Sequence, residues 1–127
     1  MRDEFMKDEK RGQDLRVRTK QFAIRIINLY GALPKRTEAK IIGKQVLRSG
    51  TSIGANYREA CRARSDSEFI AKLGICLQEL DETAYWPELL EEAEIIKPTL
   101  LVDLHDETDQ LIAIFTTISK NRKAKQR

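Results

Sequence analysis

Long apolar runs are missing from this 127-residue chain. No stretch of about 18 apolar residues occurs, which excludes a membrane-spanning helix. The opening residues, MRDEFMKDEKRG, are charged throughout, so no secretory signal is expected from them. Proline occurs three times and glycine six, too few for a loop-rich all-β fold. Cysteine occurs twice, at Cys61 and Cys76, and not as a CxxC. Both lie in periodic segments, where cysteine serves as a small apolar core residue, and a reducing, cytoplasmic location is expected. The single histidine, His105, has Val102 three residues before it, so the paired Glu-x-x-His motifs of a dimetal bundle are absent. Zinc-ligand spacing is absent as well. Neither a metal nor a cofactor is expected.

What the chain has is charge, unevenly placed. Lys, Arg, Asp and Glu make up 34% of the residues, yet the net charge is only +3. Residues 1–64 carry +9, residues 65–118 carry −11, and residues 119–127 carry +5. Two readings follow. One has basic and acidic helices facing each other, within or between subunits; the other has the basic half touching polyanions.

Apolar residues recur at helical spacing in four segments, about 14–30, 36–64, 66–94 and 98–121. In the first, Leu15, Phe22, Ile26, Leu29 and Leu33 form a stripe that Gly31 and Pro34 bring to an end. Val17 and Ile24 point away from it, as a subunit contact or as ordinary surface apolar residues. In the second, Ile42, Val46, Ser49, Ile53, Asn56, Ala60 and Ala63 keep a 3.5-residue period. This seam runs unbroken through LRSGTSIGANYREA, residues 47–60, where Gly50 and Gly54 are four apart. Each mid-helix glycine costs roughly 1 kcal/mol against alanine, so two within five residues predict close packing or a bend. The third segment opens with a capping-box spacing, Ser65 to Glu68, and carries Phe69, Leu73, Cys76, Leu77, Leu80 and Ala84. Pro87 lies inside it and is expected to kink it. The fourth follows Pro98 with Leu101, Leu104, Thr108, Leu111, Phe115 and Ile118. Short connections between four amphipathic helices predict an all-α, antiparallel up-down-up-down four-helix bundle over residues 13–121. Residues 1–12 are expected to form a flexible arm and residues 122–127 a basic tail.

Enzyme chemistries find little footing. Gly50 and Gly54 do not fit GxxxxGK[ST], and no strand precedes them. The serines at 49 and 52 have no histidine in sequence context, and the seven acids between Glu79 and Glu94 read as a solvated or partner-facing surface. No catalytic residue is assigned. The cations are better ordered. Lys44, Arg48, Arg58 and Arg62 share one face of the second helix with Thr51 and Ala55. Arg11, Arg18 and Arg25 are heptad-spaced on the first, and the tail adds Lys120, Arg122 and Lys123. Such stripes suit salt-sensitive, sequence-independent contact with RNA or DNA, although no recognition motif for nucleic acid accompanies them.

The runs FAIRIINLYGALP, RSGTSIGANYREA and SDSEFIAKLGICLQELDETAYWPELL together resemble the 23S rRNA intervening-sequence protein family over about residues 15–118. The most specific piece is Arg48 to Asn56, followed by Glu59-Ala60 and then Phe69 and Leu73. The resemblance implies a four-helix bundle assembling as a ring-like homopentamer, with some members encoded inside 23S rRNA genes. It also implies kinship with the accessory variability determinant of diversity-generating retroelements, a basic pentamer that engages a reverse transcriptase and nucleic acid. No catalytic residues attach to the family. On this reading Ser49, Gly50, Ile53, Gly54 and Asn56 lie at a packing seam. Arg48 and Glu59 are candidates for intersubunit pairing, and Val17 and Ile24 join the oligomer surface. The expectation is a non-enzymatic bundle that associates with itself and acts as an adaptor for RNA, DNA or a ribonucleoprotein, with a nucleic-acid enzyme as a further candidate partner. The alternative is a purely protein-binding or structural module with no nucleic-acid contact.

Overall fold

The computed structural model describes the backbone of residues 2–126 and the side chains of residues 14–126. It contains four helices: α1 (Arg2–Ala32), α2 (Thr37–Cys61), α3 (Asp66–Glu92) and α4 (Val102–Lys125). A 3-10 turn, Pro98–Leu100, leads into α4. Among the described residues there is no strand. Short connections turn each helix back along its predecessor, and the α1–α2, α2–α3 and α3–α4 pairs pack in sequence as a four-helix bundle.

Helix α1 begins at Arg2, well ahead of the expected start near Asp14, so helical backbone runs into the segment read as an arm. α3 starts where its capping signal lies. The Ser65 side chain accepts a hydrogen bond from the Glu68 amide at 3.1 Å, and the Arg64 amide donates to Glu68 Oε2 at the same distance. α3 continues through the buried Pro87 to Glu92 as one helix. It ends in a Schellman arrangement: the Ile95 amide reaches the Leu90 carbonyl at 2.9 Å, and the Glu94 amide reaches that of Glu91 at 2.9 Å. Glu94 sits at φ 59°, the left-handed position that glycine most often fills.

The core is a stack of heptad-spaced side chains. Leu15, Thr19, Phe22 and Ile26 come from α1, Leu73, Cys76, Leu80, Thr83, Pro87 and Leu90 from α3, and Leu104, Thr108, Leu111 and Phe115 from α4. Across its centre Tyr57 and Phe115 meet edge to face, with ring centroids 5.2 Å apart. In α2 the most buried set is Ala39, Gly43, Val46, Ser49, Gly50, Ile53, Tyr57 and Ala60. The predicted seam members Ile42, Asn56 and Ala63 are only half-buried. The difference has a simple cause: α2 has α1 on one flank and α3 on the other, so its glycine side is covered as fully as its Val46–Ile53 side. Cys76 is buried in the core as expected, whereas Cys61 at the end of α2 is exposed.

The glycines record how tightly α1 lies on α2. A β-carbon at Gly50 would come within 2.6 Å of the Ile26 side chain, and one at Gly43 within 2.5 Å of that of Leu33. At Gly54 it would meet Thr19 Oγ1 at 3.1 Å and the Thr19 backbone carbonyl carbon at 3.5 Å. The unusual LRSGTSIGANYREA stretch is therefore continuous helix, with its small residues turned to a neighbouring helix.

Candidate nucleic-acid interface

The seam residues settle first. Ser49, Gly50 and Ile53 are buried, while Gly54 and Asn56 are half-buried. The Ser49 and Thr83 hydroxyls bond across α2 and α3 at 2.9 Å, and Thr83 Oγ1 also lies 2.7 Å from the Glu79 carbonyl. The Ser49 hydroxyl lies 3.3 Å from the Val46 carbonyl, and Asn56 Nδ2 donates to the Ser52 carbonyl at 2.9 Å. The polar side chains of this stretch thus have partners inside the bundle, as buried polar groups require. Cys76 Sγ donates to the Ile53 carbonyl at 3.7 Å, and burial pushes its thiol up to about 12. Burial raises the Tyr57 phenol too, helped by the nearby Cys61 thiol.

The cations divide into two groups. Those of the first group are engaged by acids of the other helices. Arg18 on α1 grips Glu107 on α4 through Nη2 at 2.5 Å and Nε at 3.2 Å, a two-pronged pair that raises the arginine pKa. Arg48 on α2 spans Glu82 at 2.8 Å and Glu79 at 3.2 Å on α3. Its pKa is raised chiefly by the bond to Glu82. Arg122 near the end of α4 meets Asp66 at 3.0 Å, with its guanidinium 4.1 Å from the Phe69 ring centroid. Glu59 is held by Lys72 at 2.9 Å. Arg48 and Glu59, expected between subunits, thus find acid and base partners within the chain. His105, between acids on α4, hydrogen-bonds Glu91 at 2.7 Å across the α3–α4 junction.

The second group is exposed, and among the described residues it makes no ion pair. It includes Arg16, Lys20, Arg25, Lys44, Arg58, Arg62, Lys120 and Lys123, along with Lys35, Lys40, Arg64, Lys97 and Lys125. The side chain of Arg11 lies outside the described residues. Four of these cations converge. Arg16 and Lys20 on α1 and Arg58 and Arg62 on α2, each pair one helical turn apart, line a groove of about 410 Å³. Between them the lining is small, Thr19, Ala23, Thr51, Gly54 and Ala55, and Glu59 is its one acid. Gly54 lets the two backbones approach, so the same residue that closes the packing also shapes the lining. The α4 tail reaches the same end of the bundle, where Arg122 and Arg64 line a hollow beside Cys61.

Heptad spacing does not single out Arg16 and Lys20, because they lie off the Arg11, Arg18, Arg25 register. Their signal is an i, i+4 basic pair, and it gains meaning only once α1 is laid against α2 with Arg58 and Arg62 opposite. Val17 and Ile24 are 54% and 50% exposed on the outer face of α1, joined by Ile27. On α3, Ile75 and Tyr85 are exposed as well.

Among the described residues no group of three or more His, Cys, Asp or Glu side chains could hold a metal ion, and no helix is long and apolar enough to cross a membrane. No curated protein matches the chain. A solved structure does: a protein of unknown function from the S23 ribosomal protein family of Bacteroides thetaiotaomicron VPI-5482, 39% identical with a TM-score of 0.80. The match covers 86% of this chain and 97% of that one. Residues 13–117, which span all four helices and both walls of the basic groove, match the 23S rRNA-intervening sequence protein family, and the chain belongs to that family.

Proposed function

We propose that this protein is a non-enzymatic, cytoplasmic adaptor that associates with copies of itself and holds RNA, DNA or a ribonucleoprotein through its basic layer. The observation that carries the reading is the separation of charge in space. The acids of α3 and α4 take up Arg18, Arg48 and Arg122, yet Arg16, Lys20, Arg58 and Arg62 remain together, exposed and unpaired by any described acid. The one acid in their groove, Glu59, is paired with Lys72 of α3, and grouped cations in excess over acids attract a polyanion. Self-association is supported by apolar side chains left on outer faces, Val17, Ile24 and Ile27 on α1 and Ile75 and Tyr85 on α3. The pentameric ring rests on the family resemblance.

A second reading keeps the assembly and drops the nucleic acid. It is favoured by the arginines that already have acidic partners, since a chain that uses Arg18, Arg48 and Arg122 for internal pairing can use its other charges between subunits.

Light scattering with and without a structured rRNA fragment separates the two. The adaptor forms an oligomer whose mass rises with RNA bound, and the complex dissolves steeply with added salt. An oligomer that takes up no nucleic acid even at low salt, and that salt itself loosens, establishes the second reading instead.

A further inference from the structure

Resting on the nucleic-acid reading above, we infer that the α1–α2 groove is the contact site, and that it seats the sugar–phosphate backbone of a double-helical nucleic acid. Arg16 and Lys20 form one wall, Arg58 and Arg62 the other, with the small Ala23, Thr51, Gly54 and Ala55 in the lining between them. The one acid in the lining, Glu59, is paired with Lys72 from α3, and none of the four groove cations makes an ion pair with a described acid. Small lining residues let a phosphate ridge settle between the walls, where cations one turn apart on each side address successive phosphates.

Three features of the groove select this ligand. First, its lining contains no aromatic ring. Proteins that hold single strands supply aromatic platforms for unstacked bases, and among the described residues the exposed aromatic side chain, Tyr85, belongs to α3, on the other layer of the bundle. A duplex keeps its bases stacked on one another and presents only its backbone. Second, the lining offers cations and few fixed hydrogen-bond groups. That suits phosphate contact, which positions a protein on a duplex, and does not suit base-edge readout. Third, the basic face reaches beyond the groove lining: Lys44 is exposed and shares, by helical spacing, the face of α2 that carries Thr51 and Arg58. A small polyphosphate is normally held in a concave site that buries most of it, whereas an open basic furrow fits an extended polyanion.

Fluorescence anisotropy tests this with the full chain, a short blunt RNA duplex, a DNA duplex of the same sequence, and the single strands. Each is titrated from low to physiological salt. Wild-type protein is compared with the exposed-site doubles Arg58→Ala with Arg62→Ala and Arg16→Ala with Lys20→Ala. A control, Arg36→Ala, alters a cation paired with Glu38 in the α1–α2 connection. Circular dichroism verifies that each variant is folded. The inference expects duplex to bind more tightly than single strand. Each groove double should weaken duplex binding by roughly tenfold to a hundredfold at physiological salt and reduce the log–log salt slope by about 2, near 0.9 per lost phosphate contact. Arg36→Ala should leave both unchanged. The RNA and DNA arms show which backbone is preferred. Duplex binding that survives both doubles overturns the site while leaving the adaptor reading intact. Tighter binding of single strands overturns the duplex assignment. Absence of binding to every probe at low salt overturns the adaptor reading itself and the groove with it.

Discussion

The α1–α2 pair and the α3–α4 pair are held together by different means. α1 and α2 are both basic on their outer faces, and no ion pair joins them among the described residues. Gly43, Gly50 and Gly54 bring them together instead, by admitting Leu33, Ile26 and Thr19 where a β-carbon would collide. α3 and α4 are joined by polar contacts at both ends, Glu91 to His105 and Asp66 to Arg122, and by larger side chains between. Gly74 on α3 has open space where a β-carbon would go. Like charges on a close-packed pair gain nothing from each other, so steric fit replaces charge as the joining force. The cations on that pair are then left for outside contact. Acids on the other pair draw off the arginines that lean toward them.

The largest test of this contrast is Gly50→Leu. Ile26 is fully buried and cannot retreat, so overpacking should cost about 3 kcal/mol, read as a lowered denaturation midpoint in urea. The same substitution at Gly74 should cost far less. An unchanged midpoint for Gly50→Leu would mean that α1 does not lie where the glycines place it.

Alkaline titration probes the α2–α3 seam. Folding raises the Cys76 thiol from its ordinary value near 9 to about 12. Its contribution is therefore fully present below pH 9 and is lost between about pH 9 and pH 12, as the unfolded chain ionises and the folded one resists. The slope is at most about 1.4 kcal/mol per pH unit for this group. Tyr57, raised in the same direction, adds its own loss above pH 10. Cys76→Ala should remove the part of the decline that begins near pH 9, measured by urea denaturation at stepped pH. A decline that persists unchanged from pH 9 would assign it to other groups.

Thr83→Val keeps the volume of the side chain and removes the hydroxyl that Ser49 meets. The expected loss is about 1–2 kcal/mol, because Ser49 is left with only its longer contact to the Val46 carbonyl. In the double-mutant cycle with Ser49→Ala the two effects should be non-additive. Gly74→Ala should act in the opposite sense to any enlargement of Gly50, raising stability by up to about 1 kcal/mol through helix propensity alone. Smallest is Glu94→Gly. Relieving a left-handed residue at the end of α3 should add roughly 0.5–1 kcal/mol, visible as a small rise in Tm.

Much of this molecule is legible in the order of its residues. Four apolar stripes at helical spacing determine four helices, because a 3.5-residue period can bury one face only as a helix. The capping box at Ser65 marks the start of α3 to the residue, since that signal is local. The small residues of LRSGTSIGANYREA announce a tight contact, and the division of charge along the chain announces a basic and an acidic half. Which helix the glycines touch was decided only in three dimensions, as was the burial of both flanks of α2. The fate of each cation was decided there as well. Arg18 and Glu107 are 89 residues apart in the chain, and Arg48 and Glu82 are 34 apart. No local pattern can tell such paired arginines from the exposed Arg58 and Arg62 on the same kind of stripe. Helix formation follows from neighbours a few residues away, whereas ion pairing and the basic groove depend on which helices lie side by side.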